Sequence, residues 1–286
     1  MDTKWLLVDT PQKLLRAVNN IEKSPVLSID TEYDSFRYFK EILCLIQIHA
    51  SGTTYVFDPL GNLDLSFLGK FFRNRQIIKI LHAADNDIRL LKRDYKFDFN
   101  NIFDTHRAAL LLGFKQLSLE KMITQFVGAE LKKSKKMQRS RWDNRPLTEE
   151  QLRYAVQDVT YLPELYERQL EELKSRDLVQ TAKEAFAKIA SCNWQEKKLD
   201  WQGHIKIKGY YSLNQEQKEL LKKLYVWRFR RAKEENRAIF MFLPDKSLLE
   251  LAQNTDNLQE YLSPEKIKLY GSEIAQIIKE YRQKHL

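Results

Sequence analysis

Three stretches of this chain place oxygen ligands at spacings that could hold a cation and act on phosphorus. In Thr148-Glu-Glu-Gln151-Leu-Arg-Tyr154-Ala-Val-Gln-Asp158, a phenol and a carboxylate are four residues apart, one turn of an α-helix. In Ser28-Ile29-Asp30-Thr31-Glu32, two acids alternate with other residues, so on a strand both project from one face. Such carboxylates suit a hard divalent cation, and a tyrosine beside them can orient a water for attack. The third stretch, His82-Ala-Ala-Asp85-Asn-Asp87, puts two acids at the predicted start of a helix, where each reads as a ligand or as a cap compensating the helix dipole. With 39 Asp+Glu in 286 residues, an acid-x-acid pattern arises about six times by chance, so no one of these spacings is specific alone.

The elements that must position these groups follow from periodicity. Thr148 and Gln151 form a capping box, and Leu152, Ala155, Val156 and Val159 make one apolar helical stripe behind it. Residues 26–32 read as a strand after a short helix over 14–21, and residues 42–49 and 53–58 as a hairpin turning at Ser51-Gly52. Helical patterns over 65–73, 84–95, 105–112 and 117–126 then alternate with short strands over 77–81 and 102–104. Three strands followed by alternating helices and strands is a mixed α/β order. Helical patterning continues over 164–188 and breaks over 197–211, where Gly203, Gly209 and several aromatics mark a boundary. Helices over 213–237, 246–252 and 271–283 predict a small all-α domain at the end.

Charge points to an anionic partner. There are 48 Lys+Arg against 39 Asp+Glu, a net charge of +9, which favours nucleic acid. Residues 131–145, LKKSKKMQRSRWDNR, carry seven Lys/Arg against the single Asp143 and directly precede the Tyr154 helix. Lys135, Lys136, Arg139 and Arg141 are candidates for phosphate contact, and Trp142 for stacking on a single-stranded base. Residues 206–240 add ten Lys/Arg against four Glu. Two cysteines, Cys44 and Cys192, provide neither a disulfide framework nor a zinc pattern and fit a reducing cytoplasm. No apolar run reaches membrane-spanning length, so no membrane association is expected.

Taken together, Asp30-Thr31-Glu32, His82 to Asp87 and Tyr154-x-x-x-Asp158 resemble the three motifs of the DEDDy 3′-5′ exonucleases, and SIDTEYDS, LHAADNDIRLL, IFDTHRAALLLG and RWDNRPLTEEQLRYAVQDVTYL are similar to ribonuclease D in order and spacing. The stretch LYVWRFRRAKEENRAIFMFLPDKSLLELA resembles one copy of the HRDC domain. The resemblance implies a ribonuclease-H-like α/β domain over 1–195, with a five-stranded mixed sheet and flanking helices, then a linker over 196–212 and an HRDC-like helical domain over 213–286. It implies two divalent ions, Mg²⁺ or Mn²⁺, with Asp30 bridging both, Glu32 and Asp158 on the water-bearing one, and Asp87 steadying the second through water. Asp85 is then left as a helix cap, Asp104 as structural, and Tyr154 as the residue that orients the attacking water. The implied activity is 3′-5′ exoribonuclease action on single-stranded 3′ ends, tRNA precursors above all, releasing 5′-mononucleotides. A DNA-directed exonuclease of the Werner type would use the same acids. A non-catalytic nucleic-acid-binding adaptor is the third reading, and retention of all four acids and the tyrosine counts against it.

Overall fold

The strand that carries Asp30 and Glu32, β2 (Val26–Asp34), lies inside a six-stranded mixed sheet. Its companions are β1 (Trp5–Val8), β3 (Ile42–Ala50), β4 (Thr53–Phe57), β5 (Ile78–Leu81) and β6 (Ile102–Asp104), in the order β1-β4-β3-β2-β5-β6. The computed structural model describes residues 4–131, 135–255 and 257–283. The sheet has one strand more than expected. That strand, β1, runs parallel to β4, and at four residues it is too short to declare a period of two. The β2-β3-β4 meander is antiparallel, as the Ser51-Gly52 turn predicts, and β5 and β6 add in parallel.

Helices cover both faces. One face, with Leu27, Ile29, Ile46, Ile48, Tyr55 and Phe57, forms the main core with residues of α1 (Pro11–Glu22), α2 (Leu68–Phe72) and α3 (Asp85–Tyr95). To this core α4 (Thr105–Leu111), α5 (Leu119–Val127), α8 (Leu162–Ser175) and α9 (Val179–Ser191) also contribute. On the other face α7 (Glu149–Thr160) packs across β2, β3 and β4, and Leu45 and Val56 meet Leu152, Ala155 and Val156 in a second apolar cluster. The basic stretch before it contains a four-residue helix, α6 (Lys135–Gln138).

The chain divides into two compact units, one of residues 1–34 and 42–195, the other of residues 35–41 and 196–286. The second is built on α10 (Gln215–Glu234), which packs against α12 (Asp245–Gln253) and α14 (Pro264–Gln283) through Leu220, Leu221, Leu224, Leu248, Leu251, Ile274 and Ile278. Two short helices, α11 (Ile239–Phe242) and α13 (Leu258–Tyr261), connect these. Helix α14 starts seven residues before the predicted 271, because Gly271 is buried inside it rather than breaking it. Residues 196–212 do not act as a loose linker. They form two 3₁₀ turns, and Ile207 is buried in the helical core. Gly209 is needed between them because its φ of +98° is a backbone conformation that L side chains rarely adopt. Ser35–Glu41, between β2 and β3 in sequence, also belongs to this unit. Phe39 is 4% exposed and meets Phe229 edge-on, and the Arg37 carbonyl accepts from Ala238 N at 2.9 Å.

Candidate active site

Alternation along β2 turns Asp30 and Glu32 to the face that α7 covers, opposite Gln47 and Leu45 of β3 respectively. From α7 comes Asp158, and one oxygen from each of Asp30, Glu32 and Asp158 lies within 4.8 Å of the other two. Three carboxylates so close repel one another, and an all-oxygen set of this kind fits a hard divalent cation such as Mg²⁺ or Mn²⁺. Tyr154, one turn before Asp158, is 8% exposed. Burial, and then the charges of Asp158, Glu32 and Asp30, push its phenol well above the ordinary tyrosine range, against a hydrogen bond with the Gln138 side chain. At neutral pH Tyr154 is therefore an uncharged hydroxyl, able to donate and accept hydrogen bonds.

The start of α7 is fixed by the predicted capping box. Gln151 N donates to Thr148 Oγ1 at 3.2 Å, and Thr148 N donates to Gln151 Oε1 at 2.9 Å. The same glutamine donates from Nε2 to Ser140 Oγ at 2.8 Å, tying the helix to the basic segment before it. Leu152, Ala155 and Val156 anchor its underside, so Tyr154 and Asp158 are borne on a rigid element with both a clamped end and a buried stripe.

The His82–Asp87 motif is placed differently from the trio. Asp87 accepts a hydrogen bond from Thr31 Oγ1, and Thr31 alternates with Asp30 and Glu32 on β2. Burial raises the Asp87 carboxyl to about 7, with the Thr31 bond opposing the rise. Its oxygens are outside the 4.8 Å cluster of the other three acids. Asp85 does not cap α3 as expected: the N-cap is Ala84, and Asp85 instead stands 3.9 Å from the Arg107 guanidinium. The capping carboxylate is Asp104, which accepts from Arg107 N at 2.6 Å at the start of α4 and from Ala84 N at 2.7 Å at the start of α3. One buried acid thus joins the ends of two helices. Asp104 is structural, in the place where a strand end meets two helix starts.

Residues 6–174 match the family model described as 3′-5′ exonuclease, and residues 217–278 match the HRDC domain. Ribonuclease D of Desulfotalea psychrophila is 31% identical across 94% of this chain, which spans 74% of that relative. The chain belongs to the ribonuclease D family of 3′-5′ exonucleases. The fold is similar to the catalytic core of RRP6 from Trypanosoma brucei, with a TM-score of 0.90 at 22% identity, covering 100% of this chain and 81% of that one. The Exosome complex component 10 homolog of Drosophila melanogaster is 29% identical over 88% of this chain, and the chain spans 29% of that protein.

Within this ribonuclease D framework, the basic segment is more structural than its composition predicts. Trp142 is 1% exposed, packed in the cluster beneath α7 with its ring centroid 6.0 Å from that of Tyr154, so no face of it is offered to a base. Arg145 explains why. Its guanidinium donates to Asp58 Oδ1 and Oδ2 at 2.6 Å, to Cys44 O at 2.8 Å and to Trp142 O at 2.6 Å, clamping the segment onto β3. Arg141 pairs with Asp143 at 2.8 Å, and Lys136 and Arg139 are exposed. Lys135 opens α6, its side chain lying outside the described residues.

Proposed function

We propose that this chain is a metal-dependent 3′-5′ exoribonuclease that releases 5′-mononucleotides from single-stranded 3′ ends, acting in the cytoplasm on structured RNAs such as tRNA precursors. The observation that carries the reading is the convergence of Asp30, Glu32 and Asp158 with the neutral hydroxyl of Tyr154 beside them. Two divalent cations, Mg²⁺ or Mn²⁺, would supply the positive charge that makes a water nucleophilic and stabilises a departing 3′-oxygen. Asp30, Glu32 and Asp158 would hold them, with Asp87 at the start of α3 as a further carboxylate. Tyr154 hydrogen-bonds the attacking water and directs its lone pair at phosphorus. A new P–O bond forms as the bond to the 3′-oxygen breaks, which leaves the phosphate on the 5′ carbon of the released nucleotide.

Strand binding is proposed to extend to the helical unit, where a groove of about 860 Å³ is lined by Lys218, Lys222, Lys223 and Arg230 together with Tyr210 and Trp227. Cations interleaved with aromatics suit the backbone and bases of a single strand. Lys136, Arg139 and Arg141 would add phosphate contacts near the carboxylates. The names of the relatives, ribonuclease D and exosome components, favour RNA. Two free cysteines fit a reducing compartment, and among the described residues no helix is long and apolar enough to cross a membrane.

Matched 3′-tailed RNA and DNA strands, incubated with Mg²⁺ or Mn²⁺ and resolved by size, test the reading. Mononucleotide release from RNA that disappears in Asp30→Asn is the expected result. Faster degradation of DNA would make the chain a DNA exonuclease, and tight binding without cleavage would make it an adaptor.

A further inference from the structure

Two buried polar side chains adjoin Asp30 on the sheet and make no hydrogen bond. Gln47 is 0% exposed with both Nε2 and Oε1 unpaired, and Ser28 Oγ, also in a residue at 0%, is unpaired as well. An unpaired buried amide opposes folding, so its presence in the middle of a sheet calls for a reason. Its position supplies one. In the β2–β3 ladder Gln47 stands directly opposite Asp30, and Ser28 is the next same-face residue along β2. Side chains directly opposite share a face and approach most closely, with diagonal neighbours next.

On its other flank Gln47 pairs with Val56 of β4, and its same-face neighbour toward one end of β3 is Leu45. Leu152, Ala155 and Val156 of α7 pack with both. Toward the other end is His49, whose Nδ1 is engaged with Thr54 Oγ1 at 2.8 Å. The amide thus has apolar neighbours in Leu45 and Val56, an imidazole already engaged with Thr54 toward the end of β3, and Asp30 with Ser28 on the β2 side.

We propose that Gln47 is a positioning residue for Asp30: its Nε2 donates to the Asp30 carboxylate when that group is drawn onto a cation, fixing which oxygen faces the metal, with Ser28 Oγ supporting the amide. The inference rests on the reading of Asp30 as a metal ligand. A glutamine suits the task because it donates a hydrogen bond without a positive charge that would compete with the cation. Loss of an outer partner of this kind costs about ten- to a hundredfold in metal affinity or activity.

Gln47→Met nearly preserves volume while removing both polar atoms. Mn²⁺ binding by titration calorimetry, melting without added metal, and kcat on RNA are compared with the parent. Mn²⁺ affinity and kcat are expected to fall about tenfold or more, while the metal-free protein melts no earlier. Unchanged Mn²⁺ affinity overturns the proposal. Should Gln47→Met not fold, Gln47→Asn, which withdraws the amide by one methylene, must lose Mn²⁺ affinity too, and parent-like binding in it has the same force. Asp30→Asn separates the two readings. If Asp30→Asn binds Mn²⁺ as the parent does, the metal-site reading fails; if it loses affinity while Gln47→Met does not, only this inference fails. In the double variant Gln47→Met should add nothing to the loss from Asp30→Asn, and a fully additive loss would show that Gln47 acts elsewhere.

Discussion

Replacing Trp142 by alanine removes a side chain that is 1% exposed and clustered with Leu45, Val56, Leu152 and Tyr154. Truncating a buried tryptophan costs about 3–5 kcal/mol. For a chain of this size each kcal/mol lowers Tm by roughly 2–4 °C, so the fall expected is roughly 6–20 °C. The cavity opens under α7 and takes away the ring lying 6.0 Å from Tyr154, so kcat should fall as well. Trp142→Phe removes less volume and also deletes an Nε1–H that is buried without an acceptor. An unpaired donor costs about 1–3 kcal/mol, so its removal offsets part of the lost packing, and the net loss should stay under about 2 kcal/mol. The assay is urea unfolding of the parent and both variants, with affinity for a short single-stranded RNA measured in the Asp30→Asn background. Stability should rank parent, then Phe, then Ala. If Trp142 instead stacked a base, RNA affinity would drop by about 1–3 kcal/mol with unfolding unchanged, and that result would refute the packing argument.

Asp158→Asn should abolish most hydrolysis yet raise the metal-free melting temperature, because one of three mutually repelling carboxylates is neutralised, a relief on the order of 1–4 kcal/mol; a lower Tm would mean the acid is held by a structural partner. Tyr154→Phe should reduce kcat about a hundredfold with Mn²⁺ affinity intact, and collapse of Mn²⁺ affinity with kcat retained would make Tyr154 a ligand. Lys79 is 0% exposed, donates to the carbonyls of Asn74 and Ile77, and is lowered by burial to about 8 from 10.5. Between those values the unfolded chain holds more protons, so stability rises with pH across that window by about 3 kcal/mol relative to Lys79→Met; parallel pH profiles in urea unfolding would argue that the ammonium is solvated. Arg228 is 3% exposed, with Nη1 2.7 Å from Leu243 O and 2.8 Å from Asp245. Arg228→Met should therefore lower stability and leave the salt dependence of RNA binding alone, whereas Lys222→Ala with Lys223→Ala should reduce the salt slope for a single strand by about 1.4.

The parts of this site that sequence makes legible are those set by local periodicity. A period of two put Asp30 and Glu32 on one face, a period near four put Tyr154 beside Asp158, and the capping box dated the start of α7 to Thr148. What stayed hidden depends on partners far along the chain. Nothing near Trp142 announces that Arg145 reaches back to Asp58 and Cys44, so a run of cations around an indole read as solvent-exposed. Asp104 is structural as expected, but the capping expected of Asp85 falls to it for the same reason: the acid that accepts from Ala84 N at the start of α3 lies 20 residues further along the chain. Gln47 did leave a trace. It is the one amide in ILCLIQIHA, a strand otherwise apolar apart from His49 near its end.

The seven residues Ser35–Glu41 give the helical unit an unusual history during synthesis. Lys40 N donates to Asn236 Oδ1 across 196 positions of sequence. A ribosome adding about 5–20 residues per second would deliver Asn236 roughly 10–40 s after Lys40. Throughout that interval β2 and β3 have each other, while Phe39 between them awaits Phe229. The same wiring means that a protease cutting between 195 and 196 severs only one of the covalent links between the units, and the released tail would lack a piece of its own core. Anyone transplanting the helical unit to another nuclease must therefore carry residues 35–41 with it, written into the host's catalytic hairpin.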